Sequence, residues 1–241
     1  MIAVEGVSVR FGGVHALDDV SLRLGVGVTG LIGPNGAGKT TLLNVLSGFV
    51  RPLAGRVLAD DGTDLLRMAP HRRARWGLRR SFQQERIVPR LSVRDHLRVT
   101  AEHMPDHDVA ASVEIALERT GLAAVAERPA ATIDQRQRRL LELGRAIVGR
   151  PRVILLDEPG AGLDPGETAE LLELIKGLPA ESGAAVVVID HDMTLVRGCC
   201  TELAVLDFGR LLASGPLEQV FADPEVRAAY LGSSFEAGRA L

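Results

Sequence analysis

Gly33-Pro34-Asn35-Gly36-Ala37-Gly38-Lys39-Thr40-Thr41 is the stretch from which the rest of the chain can be read. It follows a short apolar run, Val28 to Ile32, and leads into Leu42-Leu43-Asn44-Val45-Leu46, a segment suited to helix. Strand, glycine-rich loop and helix in that order make a loop that cradles the phosphates of a nucleoside triphosphate. The glycines let the backbone curl so that several N–H groups face phosphate oxygens, and the helix N-terminus adds the positive end of its dipole. Lys39 supplies a mobile charge for the β- and γ-phosphates, and the Thr40 hydroxyl can ligate Mg²⁺. The bland alternative is a glycine-rich turn beside a solvated lysine; the flanking strand and helix weigh against it.

Composition sets the bounds. At 241 residues, with 46% apolar and 24% charged side chains, the chain reads as a soluble globular protein able to bury a real core. A net charge of −3 gives no global reason to expect a nucleic-acid partner. No apolar run approaches the ~20 residues that cross a bilayer, and the N-terminus lacks a signal-peptide layout, so a cytoplasmic protein is expected. Cys199 and Cys200 are adjacent, poor geometry for a staple, and are expected to be reduced and half-buried.

Upstream of the loop, residues 2–10 and 19–24 read as strands, the second from the alternation of Val20, Leu22 and Leu24 with Ser21 and Arg23. Phe11-Gly12-Gly13 is turn material between them. Downstream, Gly48 ends the helix, and a strand from Gly55 to Ala59 meets the turn Asp60-Asp61-Gly62. An antiparallel patch thus surrounds the front of a parallel core. Pro70 to Arg80 carries His71, Arg72, Arg73, Arg75, Arg79 and Arg80, by default a solvated helix face.

Residues 91–148 have a helical pattern. Ser92 stands three before Asp95 as in a capping box, Val109, Val113, Ala116 and Leu117 share a face, and another helix begins near Gln137. Val153-Ile154-Leu155-Leu156 and Ala184 to Ile189 are continuous apolar runs, the mark of strands buried on both faces. They end in Asp157-Glu158 and in Asp190-His191-Asp192. Polar residues at the carboxyl ends of parallel strands point to a ligand crevice along that edge, beside the phosphate loop.

An acid at the end of a buried strand, paired with a phosphate loop, is how Mg²⁺ is held on a nucleotide, and Asp157 fits that role. Glu158 can then orient and deprotonate the attacking water. His191 can reach the γ-phosphate, although a lone histidine is more often structural. Gln83, after an aromatic, can bind the metal or the water as a neutral ligand; taken alone a loop glutamine would mean nothing.

In this order the residues resemble the ATP-binding-cassette (ABC) ATPases over nearly the whole chain. Phe11 matches the aromatic that stacks on adenine, Gly33 to Thr41 the Walker A loop, Gln83 the Q-loop glutamine, and Val153 to Glu158 the Walker B strand with its catalytic acid. Gly162-Leu163-Asp164 is similar to the D-loop, and His191 to the switch histidine. Within the family the chain most resembles the ATPase subunits of branched-chain amino-acid importers. Phe11 to Leu17, Pro159 to Leu163, His191-Asp192-Met193 and Ala229-Tyr230-Leu231-Gly232 carry that likeness; lipid-export ATPases share several of these features.

The resemblance implies an α/β fold: a mixed, largely parallel core sheet, an N-terminal antiparallel β subdomain, and a helical subdomain over about 91–148. Residues 1–241 would form one ATP-binding domain. It implies ATP and Mg²⁺ as ligands and transmembrane permease subunits and a second ABC ATPase as partners. It also implies indirect service to a substrate-binding protein, no nucleic acid, and a peripheral place on the cytoplasmic face of the inner membrane.

One departure stands out. Where the family carries an LSGGQ-type loop, which closes over ATP bound to the other subunit of a dimer, this chain reads Ile133-Asp134-Gln135-Arg136-Gln137. Asp134 replaces the serine that would donate to the γ-phosphate, and Arg136 replaces the second glycine. Asp134 would also cap the following helix well. A heterodimer with a relative carrying an intact loop is therefore expected over a homodimer. Three rival readings stay open: a module that binds ATP with little turnover, a lipid-export-type ABC ATPase, and a cassette protein acting on nucleic acid or ribosomes. The single cassette and the absence of heptads between Gln83 and Ile133 favour transport over the last.

Overall fold

Residues 1–82, 87–104 and 108–228 are described by the computed structural model. Two sheets share the chain. β1 (Ile2–Phe11), β2 (Val14–Leu24) and β4 (Ala54–Ala59) form an antiparallel sheet in the order β2-β1-β4. The second runs β5-β6-β7-β3-β8-β9, from β3 (Gly27–Ile32), β5 (Leu78–Arg80), β6 (Val153–Asp157), β7 (Ala185–Ile189), β8 (Glu202–Asp207) and β9 (Arg210–Pro216). All neighbours in it pair parallel except β8 and β9, which form a hairpin.

The expected strand over 19–24 is longer than the alternation showed. β2 starts at Val14, because Phe11 and Val14 close a tight hairpin and pair with each other. On β1 the buried residues are Ile2 and Val4, then Val7 and Val9. The parity flips at a register shift around Gly6, whose φ of 60° no side chain adopts easily.

The continuous apolar runs behave as two-faced strands. Ile154, Leu156, Val186, Val188, Leu203 and Val205 face one core. Val153, Leu155, Val187, Ile189, Ala204 and Leu206 face the other, shared with β1 and β2. α1 (Lys39–Ser47) packs its Leu42, Leu43, Val45 and Leu46 into that second core.

The helical region is α3 (Val93–Glu102), α4 (Val109–Arg119) and α5 (Gln135–Ile147), with 3₁₀ turns at Ala123–Val125 and Ala130–Thr132. Ser92 caps α3 by accepting from Asp95 N–H, and Val113, Ala116 and Leu117 of α4 are buried as their spacing requires. α5 starts two residues earlier than expected, because Asp134 and Gln137 form a reciprocal capping box. α6 (Pro165–Ser182) begins with the same device, Asp164 with Glu167. α7 (Met193–Cys199) and α8 (Leu217–Ala222) complete the layers.

Two expectations change. The basic run is only partly a solvated face: α2 (Pro70–Trp76) exposes His71, Arg72 and Arg75, but Arg73 and Arg79 are buried and Arg80 closes strand β5. Arg73 adds donors at the last carbonyls of α1, giving Nη1–H to Leu46 O and to Val45 O, which also accepts from Gly48 N–H at 3.1 Å, and Nε–H to Met68 O. The two cysteines are free, as expected, but buried and not half-exposed, because the end of α7 is pressed into the core with their Sγ atoms 3.8 Å apart. Among the described residues no helix is long and apolar enough to cross a membrane.

Candidate nucleotide site

β3 lies between β7 and β8, so its carboxyl end opens beside those of its neighbours. The glycine-rich loop starts there, and its shape is forced by close packing. Gly33 has φ 149°, and a Cβ on it would lie 2.1 Å from the Leu206 carbonyl oxygen. Gly38 has φ 104°, and a Cβ there would meet the Ala16 carbonyl at 2.5 Å. Gly38 is also the N-cap of α1; among the described residues no side chain caps this helix and none in its first turn is acidic. Its leading N–H groups are directed at the cleft in the manner of an anion site.

A cleft of about 250 Å³ opens over this terminus, lined by Ala16, Asn35, Gly36, Ala37, Gly38, Lys39, Thr40, Thr41, Glu158, Ile189 and His191. Lys39 is buried and folds back on the loop, its Nζ donating to Gly33 O at 2.5 Å and Pro34 O at 2.9 Å. Burial pushes the Lys39 ammonium down from its usual range, and the nearby Glu158 and Asp157 carboxylates oppose that shift.

Glu158 comes straight after β6 with φ 51°, an uncommon backbone for a residue with a Cβ. It is held there by its N–H, which donates to Ile189 O at 2.7 Å and so locks the ends of β6 and β7 together. Its Oε1 lies 3.2 Å from His191 Nε2. Backbone strain of this kind gathers where a side chain has to be aimed.

The structure therefore brings the loop, Lys39, Thr40, Thr41, Glu158 and His191 to one cleft. Asp157 sits behind it, buried, with its N–H on Ser81 Oγ at 3.1 Å and its Oδ2 3.0 Å from Arg80 Nη2. Phe11 lies outside the lining, at the exposed tip of the β1–β2 hairpin with 53% of its surface open. Gln83 and Ala229 to Gly232 lie outside the described residues.

Three residues at the site escaped sequence reading. Ser81 and Arg80 hold Asp157. Asp190 joins the two loops, its Oδ2 accepting from Gly160 N–H at 3.1 Å and its Oδ1 from Asp192 N–H at 2.9 Å. A buried acid at the very end of a two-faced strand was the available signal for Asp190.

The loop expected to carry the signature does not line this cleft. Asp134 Oδ1 accepts from Gln137 N–H at 2.7 Å, and Gln137 Oε1 accepts from Asp134 N–H at 3.2 Å. Arg136 pairs with Glu170 of α6.

Comparison with known proteins shows the family and the fold. A family model described as ABC transporter matches residues 17–161, and one described as branched-chain amino acid ATP-binding cassette transporter matches residues 210–236. The high-affinity branched-chain amino acid transport ATP-binding protein BraF of Pseudomonas aeruginosa is 36% identical, over 97% of this chain and 98% of its own length. LivG of Escherichia coli K12, with the same description, is 38% identical over 97% and 98%. The ADP conformation of MJ1267, an ATP-binding cassette of an ABC transporter, superposes with a TM-score of 0.83 at 29% identity, covering 97% of this chain and 99% of that one.

Proposed function

Since the chain belongs to the ABC transporter ATPases, as an ATP-binding subunit of the branched-chain amino-acid importer type, we propose that it burns ATP in this cleft to open and close membrane permeases for branched-chain amino acids or a related small polar solute. The single observation that carries the site assignment is the convergence of Lys39, Thr40, Glu158 and His191 on the uncapped N-terminus of α1.

Each group has a physical role there. Backbone N–H groups between Asn35 and Thr41, apart from that of Ala37, which donates to Pro34 O at 3.2 Å, receive the β- and γ-phosphates, and Lys39 exchanges its loop carbonyls for phosphate oxygens. Phe11 stacks on the adenine from the hairpin tip. Glu158, aimed by its strained backbone and held beside His191, takes the proton of the attacking water. His191 reaches the γ-phosphate, and Gln83 the water or metal.

The oxygens of Thr40 and Asp157 fit Mg²⁺, which takes few protein ligands and keeps phosphates and water for the rest. When bound, the ion neutralises charge developing on the phosphates.

The partners in this reading are permease subunits, facing the helical region after Gln84, a second ABC ATPase, and indirectly a substrate-binding protein. The chain then sits peripherally on the cytoplasmic face of the inner membrane. Asp134 and Arg136 favour a heterodimer, in which a relative with an intact signature loop covers the site built on Lys39 and Glu158.

Nucleotide binding and single-turnover hydrolysis on two variants test the core of this. Lys39→Ala should lose tight Mg-ATP binding, because the loop loses its cation. Glu158→Gln should keep ATP and hydrolyse it very slowly. Wild-type turnover in Glu158→Gln would remove Glu158 as the base.

A further inference from the structure

The ion pair between Arg80 and Asp157 lies deep beside the cleft, each side chain only 6% exposed. Arg80 does more than neutralise. Its Nη1 donates to Asn44 Oδ1 at 2.7 Å, on the helix that begins with Lys39 and Thr40. Its guanidinium carbon stands 5.1 Å from the centroid of the Phe82 ring, which itself lies 6.0 Å from Phe49. The neighbouring Ser81 accepts the Asp157 N–H, so the end of β5 holds this acid by backbone and by carboxylate.

Net stability is a weak explanation for such a pair, since apolar replacements of buried ion pairs are often neutral or stabilising. Fixed geometry is a better one. Resting on the reading of Asp157 as a magnesium ligand, we infer that Arg80 is a positioning residue for that metal. It fixes the Asp157 carboxylate at the end of β6 and links it to α1 and to the segment leading into Gln83. Hydrogen-bonded partners of ligating groups are worth about 10- to 100-fold in metal affinity. Lysine keeps the charge but replaces the planar fork by one compact ammonium, so it cannot reproduce the two separate nitrogens, Nη1 and Nη2, that reach Asn44 and Asp157.

The test titrates a fluorescent ATP analogue against the full chain with Mn²⁺ and again in EDTA, with melting temperatures as a check on folding. The ratio of the two affinities is the metal-dependent increment. Arg80→Met should lose about 10- to 100-fold of that increment while its affinity in EDTA stays within about twofold. Arg80→Lys should fall between. In an Asp157→Asn background, Arg80→Met should add no further loss, because the two act through one carboxylate.

If Asp157→Asn alone leaves the increment whole, the reading of Asp157 fails and takes the inference with it. If Asp157→Asn removes the increment but a well-folded Arg80→Met keeps it, the inference alone fails. Equal weakening with and without Mn²⁺ would make Arg80 purely structural and overturn it too. Should Arg80→Met not fold, Asn44→Leu removes only the second anchor; it should reduce the increment by a few-fold, and an unchanged increment would overturn the inference.

Discussion

Replacing Asp134 by serine together with Arg136 by glycine should make the isolated chain a faster ATPase and a less stable protein. On the stability side, serine is as good an N-cap as aspartate, so the bond to Gln137 N–H survives at a change of a few tenths of a kcal/mol. Removing Arg136 breaks its solvent-exposed pair with Glu170, worth about 0–1 kcal/mol. Glycine in the first turn of α5 costs up to about 1 kcal/mol. The sum is roughly 1–2 kcal/mol, or a fall in Tm of about 2–8 °C for a chain of this size. On the catalytic side, a carboxylate ~4 Å from a phosphate charge at an effective dielectric near 20 is repelled by about 4 kcal/mol. Relieving a third of that repulsion is worth about tenfold in rate. Steady-state ATPase assays across protein concentration, beside calorimetric melting, would measure both. If the wild-type chain alone already hydrolyses ATP at a rate the double substitution leaves unchanged, the asymmetric-dimer reasoning is wrong.

Phe11→Ala should weaken ATP binding by about 10- to 100-fold, since stacking on a base is worth roughly 1–3 kcal/mol; unaltered affinity would leave Phe11 as a hairpin residue alone. Arg73→Met should lower unfolding free energy by about 2–4 kcal/mol in urea, because the carbonyls of Val45, Leu46 and Met68 lose buried donors. A loss below about 1 kcal/mol would show that water replaces them. His96 is buried, with Nδ1 2.8 Å from Ser92 O and Nε2 accepting from Val88 N–H at 2.9 Å. Burial above all pushes its pKa down, with Arg145 adding to that and the Ser92 carbonyl and Asp95 opposing it. Below about pH 6.5 the unfolded chain therefore holds a proton that the folded one refuses, and stability climbs with pH through that region. His96→Asn should flatten the rise of Tm between about pH 5 and 7, and an identical slope in the variant would refute this origin.

The phosphate loop, the two-faced strands β6 and β7 and the caps at Ser92 and Asp134 were legible because each rests on local chemistry. Glycine spacing, unbroken apolar runs and side-chain oxygens three residues before an N–H are all visible in sequence. The hairpin β8–β9 escaped, though Leu203 to Leu206 form an apolar run and Phe208-Gly209 a two-residue turn with positive φ at both. The basic run misled for a different reason. Whether Arg73 or Arg80 is solvated depends on carbonyls of α1 and on Asp157, far off in sequence, and no periodicity within the run encodes that. Phe11 was given its role by resemblance and the carboxylates theirs by their place at the end of a buried strand, but only the fold revealed that Glu158 owes its aim to the bond its N–H donates to Ile189 O of β7.

The position of β3 in its sheet also sets a timetable for synthesis. Its hydrogen-bonded partners, β7 and β8, are the seventh and eighth strands to leave the ribosome, whereas β3 is the third. At roughly 5–20 residues per second, the nascent phosphate loop waits on the order of ten to thirty seconds for its scaffold. During that interval a prematurely released fragment holds the whole glycine-rich motif and yet lacks the two strands that fix its curvature. Message truncated ahead of Glu202 thus yields chains that carry the loop without β8 beside β3.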